Sequence, residues 1–370
     1  MLICALLALL TPIAARTHVY LFITFRFMTG LSQGVVFPAQ QSLFAKWNPP
    51  LERSRLTSLG YAGAHIGYVI AFPIAALLCE YGFDSGWPSI FYVCGIVGVC
   101  WFLLWMYFVY DSPRHHPRIS QAEQTFLTGQ LDEIHSSRKK VVPWLKLLTS
   151  LPVWAISVAY TCCHWGEYTF ATNIPTYMKE VLKFDIKTNG FLSALPYIGV
   201  SFMTNASGHM ADYLIRRKLL TTNQVRKLFN SVGAILPAIF VIGTGYLGCE
   251  NSVYAVVLLT MGVTTMGCQY GGGFMVNPID IAPNFAGIVF GISNTFATLP
   301  GFFSPYAIGE LTQNKSREEW QTVFFITSAI YVVGAAAFIM FGSGYRQDWD
   351  QKESAKDIDP SNSIELANNL

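Results

Sequence analysis

The sequence predicts an all-α fold, a polytopic bundle of about ten membrane-spanning helices. Three observations predict it. Hydrophobic residues make up 52% of the 370 positions and charged residues only 12%, with a mean hydropathy of +0.38; a water-soluble domain is about 25% charged. Six runs contain no Asp, Glu, Lys or Arg: Leu56–Cys79, Ser89–Tyr110, Thr188–Ala211, Leu228–Cys249, Asn251–Ile279 and Thr322–Tyr345. Each exceeds the roughly 20 apolar residues that cross a bilayer core of about 30 Å. The runs also lack the alternating pattern of a membrane barrel. In lipid every backbone N–H and C=O needs an internal partner, so these segments must be helices.

Taken in order, the predicted spans are 1–15, 18–45, 54–79, 88–110, 147–178, 188–214, 226–248, 252–279, 285–310 and 320–344. Residues 1–15 form an apolar run ending in Ala14 and Ala15, as a secretory signal would. They lack a basic start, so they are read as a helix. The longest polar stretch, 111–146, separates four spans from six. The tail from Gln347 is polar and is expected to be disordered. An internal repeat is faint: Pro73 and Pro305 lie at matching depths, and Gly30 and Gly262 share the same offset.

Basic residues orient the bundle. With the N-terminus in the cytosol, the inside segments are 46–55, 111–146, 216–227, 280–284 and 345–370. They hold 17 of the 24 Lys and Arg residues. The positive-inside rule therefore expects both termini in the cytosol of an integral, multi-pass membrane protein. The membrane itself, plasma or vesicle and lysosome, is left open. The net charge of +2 identifies no partner, and no basic block with interleaved aromatics points to nucleic acid. The eight cysteines form no CxxC pair and mostly sit in apolar runs, where Cys behaves as a small hydrophobe. Neither a disulfide framework, a metal site nor a cofactor is implied. An enzyme would need a His/Asp/Glu cluster inside the spans, and only His164 with Glu167 approaches one.

Two motifs are specific. Arg26–Gly34 (RFMTGLSQG) reads RxxxGxxxG in the second span; Arg26, Gly30 and Gln33 share one helix face. Gly208–Arg217 (GHMADYLIRR) reads GxxxDxxxRR at the end of the sixth span. Both patterns occur in major facilitator proteins. Longer stretches, Lys46–Ser54 (KWNPPLERS), Ser150–Ala155 (SLPVWA), Asn189–Pro196 (NGFLSALP), Asp280–Pro283 (DIAP), Gly291–Ala297 (GISNTFA) and Trp320–Phe324 (WQTVF), resemble the anion:cation symporter family. That family includes sialin, the vesicular glutamate transporters and the type I sodium-dependent phosphate transporters.

The resemblance implies twelve helices in two six-helix halves, alternating access, and secondary active transport of an organic anion or phosphate. The coupling would be to a proton, sodium or voltage gradient. Residues 1–15 then match the third family helix. The expected organisation is 1–110 as an incomplete N-terminal half, 111–146 as a cytosolic loop, 147–346 as the C-terminal half and 347–370 as a tail. An alternative expectation is a truncated membrane protein that binds or regulates without transporting. Gln33 stands where sialin and the glutamate carriers have a glutamate. Cys163 stands where the glutamate carriers have an arginine, and Pro278 where they have a histidine.

Candidate site residues follow. Arg26 lies mid-span, where an arginine is costly unless partnered, and its fork suits carboxylate or phosphate; it contacts either the substrate or a structural partner. His65 and Asn294 are further substrate-binding candidates, His65 alternatively a hydrogen-bonded interhelical histidine. Glu167, with His164 three residues before it on the same face, is the coupling candidate in place of Gln33; otherwise it lies solvated at the outer mouth. Gly208, Asp212 and Arg216 form a conformational latch in which Asp212 pairs with basic residues and a helix end. Asn314 opens a glycosylation sequon next to a span.

Overall fold

The computed structural model describes residues 1–84, 86–132, 142–184 and 186–351. The basic residues Arg138, Lys139 and Lys140, and the expected disorder beyond Gln351, lie outside them. Every described secondary-structure element is helical.

The chain opens with α1 (Leu2–Thr17). It stops at His18, whose extended backbone lets Nδ1 accept the Tyr20 N–H at 3.3 Å and cap the next helix. The second span is bent into α2 (Val19–Gln33) and α3 (Val36–Trp47), with the Gly34 N–H still donating to Gly30 O across the bend. Pro49 and Pro50 end that run. α4 (Arg53–Tyr81) and α5 (Trp87–Phe108) follow. The central loop holds α6 (Gln121–Asp132) and α7 (Trp144–Leu148).

α8 (Leu151–Glu180) and α9 (Ile186–Arg216) run for 30 and 31 residues, about 45 Å at 1.5 Å per residue. α10 (Thr222–Gly245) begins in a capping box between Thr221 and Gln224. The next two spans are broken. One comprises α11 (Ser252–Thr265) and α12 (Gly267–Gly271). It ends at Gly271 rather than 279, because three successive glycines raise the helix cost, and α13 (Asn277–Ile281) is a separate turn. The other comprises α14 (Ala286–Ala297) and α15 (Pro300–Leu311), parted where Pro300 has no N–H to donate. α16 (Arg317–Phe341) starts in a capping box of Ser316 and Glu319. α17 (Asp348–Gln351) is ordered structure where the sequence led us to expect a disordered tail.

Among the described residues seven stretches are apolar and long enough to cross a bilayer: α4, α5, α10 and α16, and the jointed pairs α2–α3, α11–α12 and α14–α15. α8 and α9 are long enough but fall outside that apolar set; Glu167 and His164 lie on α8, and Asp212 on α9. Outward-facing side chains such as Ile96, Trp101, Leu104 and Phe302 are exposed, as lipid-facing surfaces require. α1 packs on α2 and α5. α8 packs on α14, α15 and α16, and α10 packs on α11 and α16. The groups meet chiefly through α4 with α9 and α3 with α14, and also through α4 with α12 and α3 with α13.

Glycines let α12 press against α9 backbone to backbone. A Cβ on Gly267 would lie 2.8 Å from both Thr204 N and Val200 O. Overpacking of this kind costs about 1–3 kcal/mol. Gly267→Ala should therefore lower the midpoint of thermal unfolding of the detergent-solubilised protein. An unchanged midpoint would mean that α9 and α12 can separate without cost.

Candidate functional site

Two constellations emerge, one at the end of the bundle that bears the central loop and one in its middle. The first is built on the start of α4. The first amides of a helix have no intrahelical acceptor, and here a carboxylate from another helix satisfies two of them. The Ser54 and Arg55 N–H groups donate to Asp212 Oδ1 and Oδ2 at 3.2 and 2.7 Å. A negative charge at a helix N-terminus also meets the positive end of the helix dipole. Gly208 makes the approach feasible: a Cβ there would sit 2.7 Å from Ser58 Cβ and 2.9 Å from Ser54 O.

Arg216 contributes less than its motif suggests. Its guanidinium is 3.9 Å from Glu52, and both side chains are exposed, a geometry of small energetic value. The buried cations of the constellation are instead Arg53 and Arg226. Asp280 accepts from Arg53 Nη1 at 3.2 Å and from Arg226 Nε at 2.6 Å. Arg226 Nη1 also donates to Ser54 Oγ at 2.9 Å and Gly272 O at 3.1 Å. Sequence reasoning quoted Arg53 and Asp280 within resembling segments but gave neither a role. Nothing local distinguishes Arg226 from the other basic residues around the α9–α10 turn.

The second constellation lies about halfway along α8. A narrow cavity is lined by His65, Glu167, Phe170, Tyr197, Val200, Val263, Met266 and Tyr270. Glu167 is half-buried and accepts a short hydrogen bond from Tyr270 OH. His164 Nε2 lies 3.3 Å from the same Glu167 oxygen, Oε2. His164 Nδ1 lies 3.1 Å from Ala297 O. A carbonyl oxygen only accepts, so Nδ1 carries a proton. Nε2 then faces a carboxyl oxygen, so a single proton on either group would join the two.

Neighbouring side chains extend this arrangement. The Tyr160 ring packs edge-on against His164 with centroids 4.3 Å apart, and its OH donates to Asn294 Oδ1 at 3.2 Å. From α4, the His65 ring meets Tyr270 edge-on at 5.1 Å, and its Nδ1 lies 3.1 Å from Tyr61 O. Cys163 Sγ donates to Tyr270 OH at 3.6 Å. Glu167, His164, His65 and Asn294 are therefore brought together, with Tyr270 as a member that sequence reasoning missed. Its signal was present: Gly267 and Gly271 frame it as GxxxG, a pattern of close helix contact.

Arg26 and Gln33 are not brought into this cluster. α2 buries none of its residues. The Arg26 side chain is exposed, with its guanidinium 5.2 Å from the Phe22 ring and 4.9 Å from the Phe91 ring. Among the described residues two aromatic faces partner this cation. Thr295 and Thr298 bond back to their own chain at Gly291 and Thr295, and Asn314 donates its amide to Glu319 at 2.7 Å.

Comparison with known proteins gives these positions a setting. A family model described as Major Facilitator Superfamily matches residues 1–305. The chain is 45% identical over 345 residues to sialin of Homo sapiens, covering 93% of this chain and 68% of that protein. It is 40% identical over 357 residues to a putative inorganic phosphate cotransporter of Drosophila melanogaster, covering 95% and 67%. Against vesicular glutamate transporter 3 of Danio rerio it is 37% identical over 357 residues, covering 95% and 60%. The proton:xylose symporter XylE shares the fold with a TM-score of 0.69 at 16% identity, over 95% of this chain and 82% of that structure. With the bundle, its two constellations and these relatives taken together, the chain belongs to the Major Facilitator Superfamily, a family of membrane transporters and not of enzymes.

Proposed function

We propose that this protein carries an anion together with a proton by alternating access, with the shared proton of His164 and Glu167 as the coupling site. The geometry of that pair is the observation that carries the reading. Two of the relatives are named for anionic cargo, phosphate and glutamate. Among the described lining residues of the cavity there is no Lys or Arg, and the acidic one is Glu167. An anion entering beside an ionised carboxylate meets like charge in a poorly solvated place, which favours the neutral carboxyl. Substrate and proton would therefore enter together.

In this reading His65, Asn294 and Tyr270 offer hydrogen bonds to the cargo, and Phe170, Val263 and Met266 face its carbon skeleton. That lining suits an organic anion better than bare phosphate. Arg26, the only Lys or Arg between His18 and Ala45, meets the anion only when the bundle is open. Gly208, Asp212, Arg53, Arg226 and Asp280 form the latch that closes one end. Its basic flanks place that end, and both termini, on the cytosolic side by the positive-inside rule. The first and second groups of helices, joined through α4–α9 and α3–α14, are the two halves that rock.

Three outcomes are expected in proteoliposomes loaded against labelled glutamate, phosphate and sialic acid. Glu167→Gln should remove the response of uptake to an imposed proton gradient and lower net uptake roughly tenfold, within the usual range of coupling between sites. A gradient response as large as that of the unmodified protein sinks the coupling role. Asp212→Ala leaves two amides of α4 without an acceptor, a cost of about 1–3 kcal/mol each when buried. Turnover should fall while the protein still folds, and full turnover would dismiss the latch. Arg26→Ala should weaken apparent affinity for the anion without abolishing the proton response; an unchanged affinity would assign Arg26 to its two aromatic neighbours alone.

A further inference from the structure

The stretch after α16 lies along the loop that carries Asp280, and it does so in strict register. Asn277 Nδ2 donates to Ser343 O at 2.8 Å. The Gln347 N–H donates to Ile281 O at 2.9 Å. The Asn284 N–H donates to Asp350 Oδ1 at 3.1 Å, and its side-chain amide to Asp350 Oδ2 at 3.0 Å and Asp350 O at 3.2 Å. Each pair is 66 residues apart in sequence. Two segments that share neither sheet nor helix are thus pinned at three successive points.

The pinning is built rather than incidental. Asp350 is 1% exposed, and Arg346 Nε donates to its Oδ2 at 2.5 Å. A buried carboxylate needs such partners, and the loop's Asn284 supplies two of them. The Trp349 and Phe285 rings pack at 6.4 Å. The Gly344 N–H donates to Asn223 Oδ1 at 3.0 Å, and the backbones there touch so closely that a Cβ on Gly344 would lie 2.5 Å from Asn223 N. Asn223 opens the same helix, α10, that presents Arg226. The strap therefore grips the carboxylate's loop and the base of one cation's helix together.

From this we infer that Asp350 and Asn284 are positioning residues for the latch: the strap 343–350 fixes the loop 277–285 so that Asp280 meets Arg53 and Arg226. Asp280 lies between Asn277 and Ile281, two of the three pinned positions, and its carboxylate must reach guanidiniums from two different helices. A loop free to shift by an ångström would lose one of them, since hydrogen bonds weaken steeply away from their preferred geometry. The strap thus sets how firmly that end of the bundle stays closed. A ligand or modification that pulled on residues beyond it would open the latch without touching the central cavity.

This inference rests on the latch reading and not on the nature of the cargo. Hydrogen exchange measured by mass spectrometry on the full chain in nanodiscs tests it. The amides of residues 53–58 report latch opening, because Asp212 and the Asp280 cluster cover them. Asp350→Ala and Asn284→Ala should each speed exchange at 53–58 about tenfold, while α5 and α16 keep native rates; local opening is reported in this way by exchange. Asp280→Asn should do the same, and Asp350→Ala combined with Asp280→Asn should be no faster than the faster single variant.

Faster exchange confined to 343–350, with 53–58 unchanged, would overturn the inference and leave the strap as packing alone. If Asp280→Asn itself leaves 53–58 unchanged, the latch reading has failed instead. Asp350→Asn, of the same shape, takes the place of Asp350→Ala if the latter does not fold.

Discussion

Asp280 sits between two guanidinium groups that arrive from opposite parts of the chain, and it ties three helices together at that end of the bundle. Arg53 and Asp280 have side chains only 7% exposed, and Arg226 only 2%. Charges that deep are tolerated because each has an opposite partner; removing one partner from a buried pair typically costs about 3–5 kcal/mol. Asp212 lies beside them on the start of α4, so two cations and two carboxylates balance. Among the described residues, the ion pairs that join α1–α5 to α8–α16 are Arg53–Asp280 and Arg216–Glu52, and both lie at this end. The other ends are tied within each group, as by Arg16–Asp84 and Lys315–Glu180. A bundle cross-linked at one end only is suited to rocking about its middle.

The middle has a different chemistry. α8 and α9 fall outside the apolar set to which their neighbours belong, and they carry side chains of both constellations. A carboxyl in such a place needs donors, and Glu167 has them from Tyr270 on α12 and from His164 on its own helix. Tyr270 in turn touches His65 from α4. Glu167 is therefore linked to an element from each side of the bundle through one phenol. The same α9–α12 contact that seats Tyr270 brings Gly271 against the backbone of Gly208, so the centre and the latch share a packing surface.

The relatives named for phosphate and glutamate are 40% and 37% identical to this chain, each over 357 aligned residues, and the resemblance still sets a central position apart. By the resemblance Cys163 stands where the glutamate carriers have an arginine, and Glu167 lies one turn further along the same helix.

The sequence alone determined the class of this protein and the course of its backbone. Charge-free runs such as Ser89–Tyr110 leave no structure but a membrane helix, because lipid offers backbone groups no partner. It also determined the pairing of His164 with Glu167, since i and i+3 share a helix face whatever surrounds them, and it marked Asp212 through a local motif. Tertiary structure alone decided which distant groups meet. Arg53, Arg226 and Asp280 are indistinguishable in sequence from other charges at span ends, and their ion pairs depend on three helices converging. A mid-span arginine marks Arg26 in the sequence, but only the fold shows its guanidinium resting on the Phe22 and Phe91 rings. The strap ending at Asp350 was equally out of reach, because Asn277, Ile281 and Asn284, 66 residues back along the chain, supply its contacts.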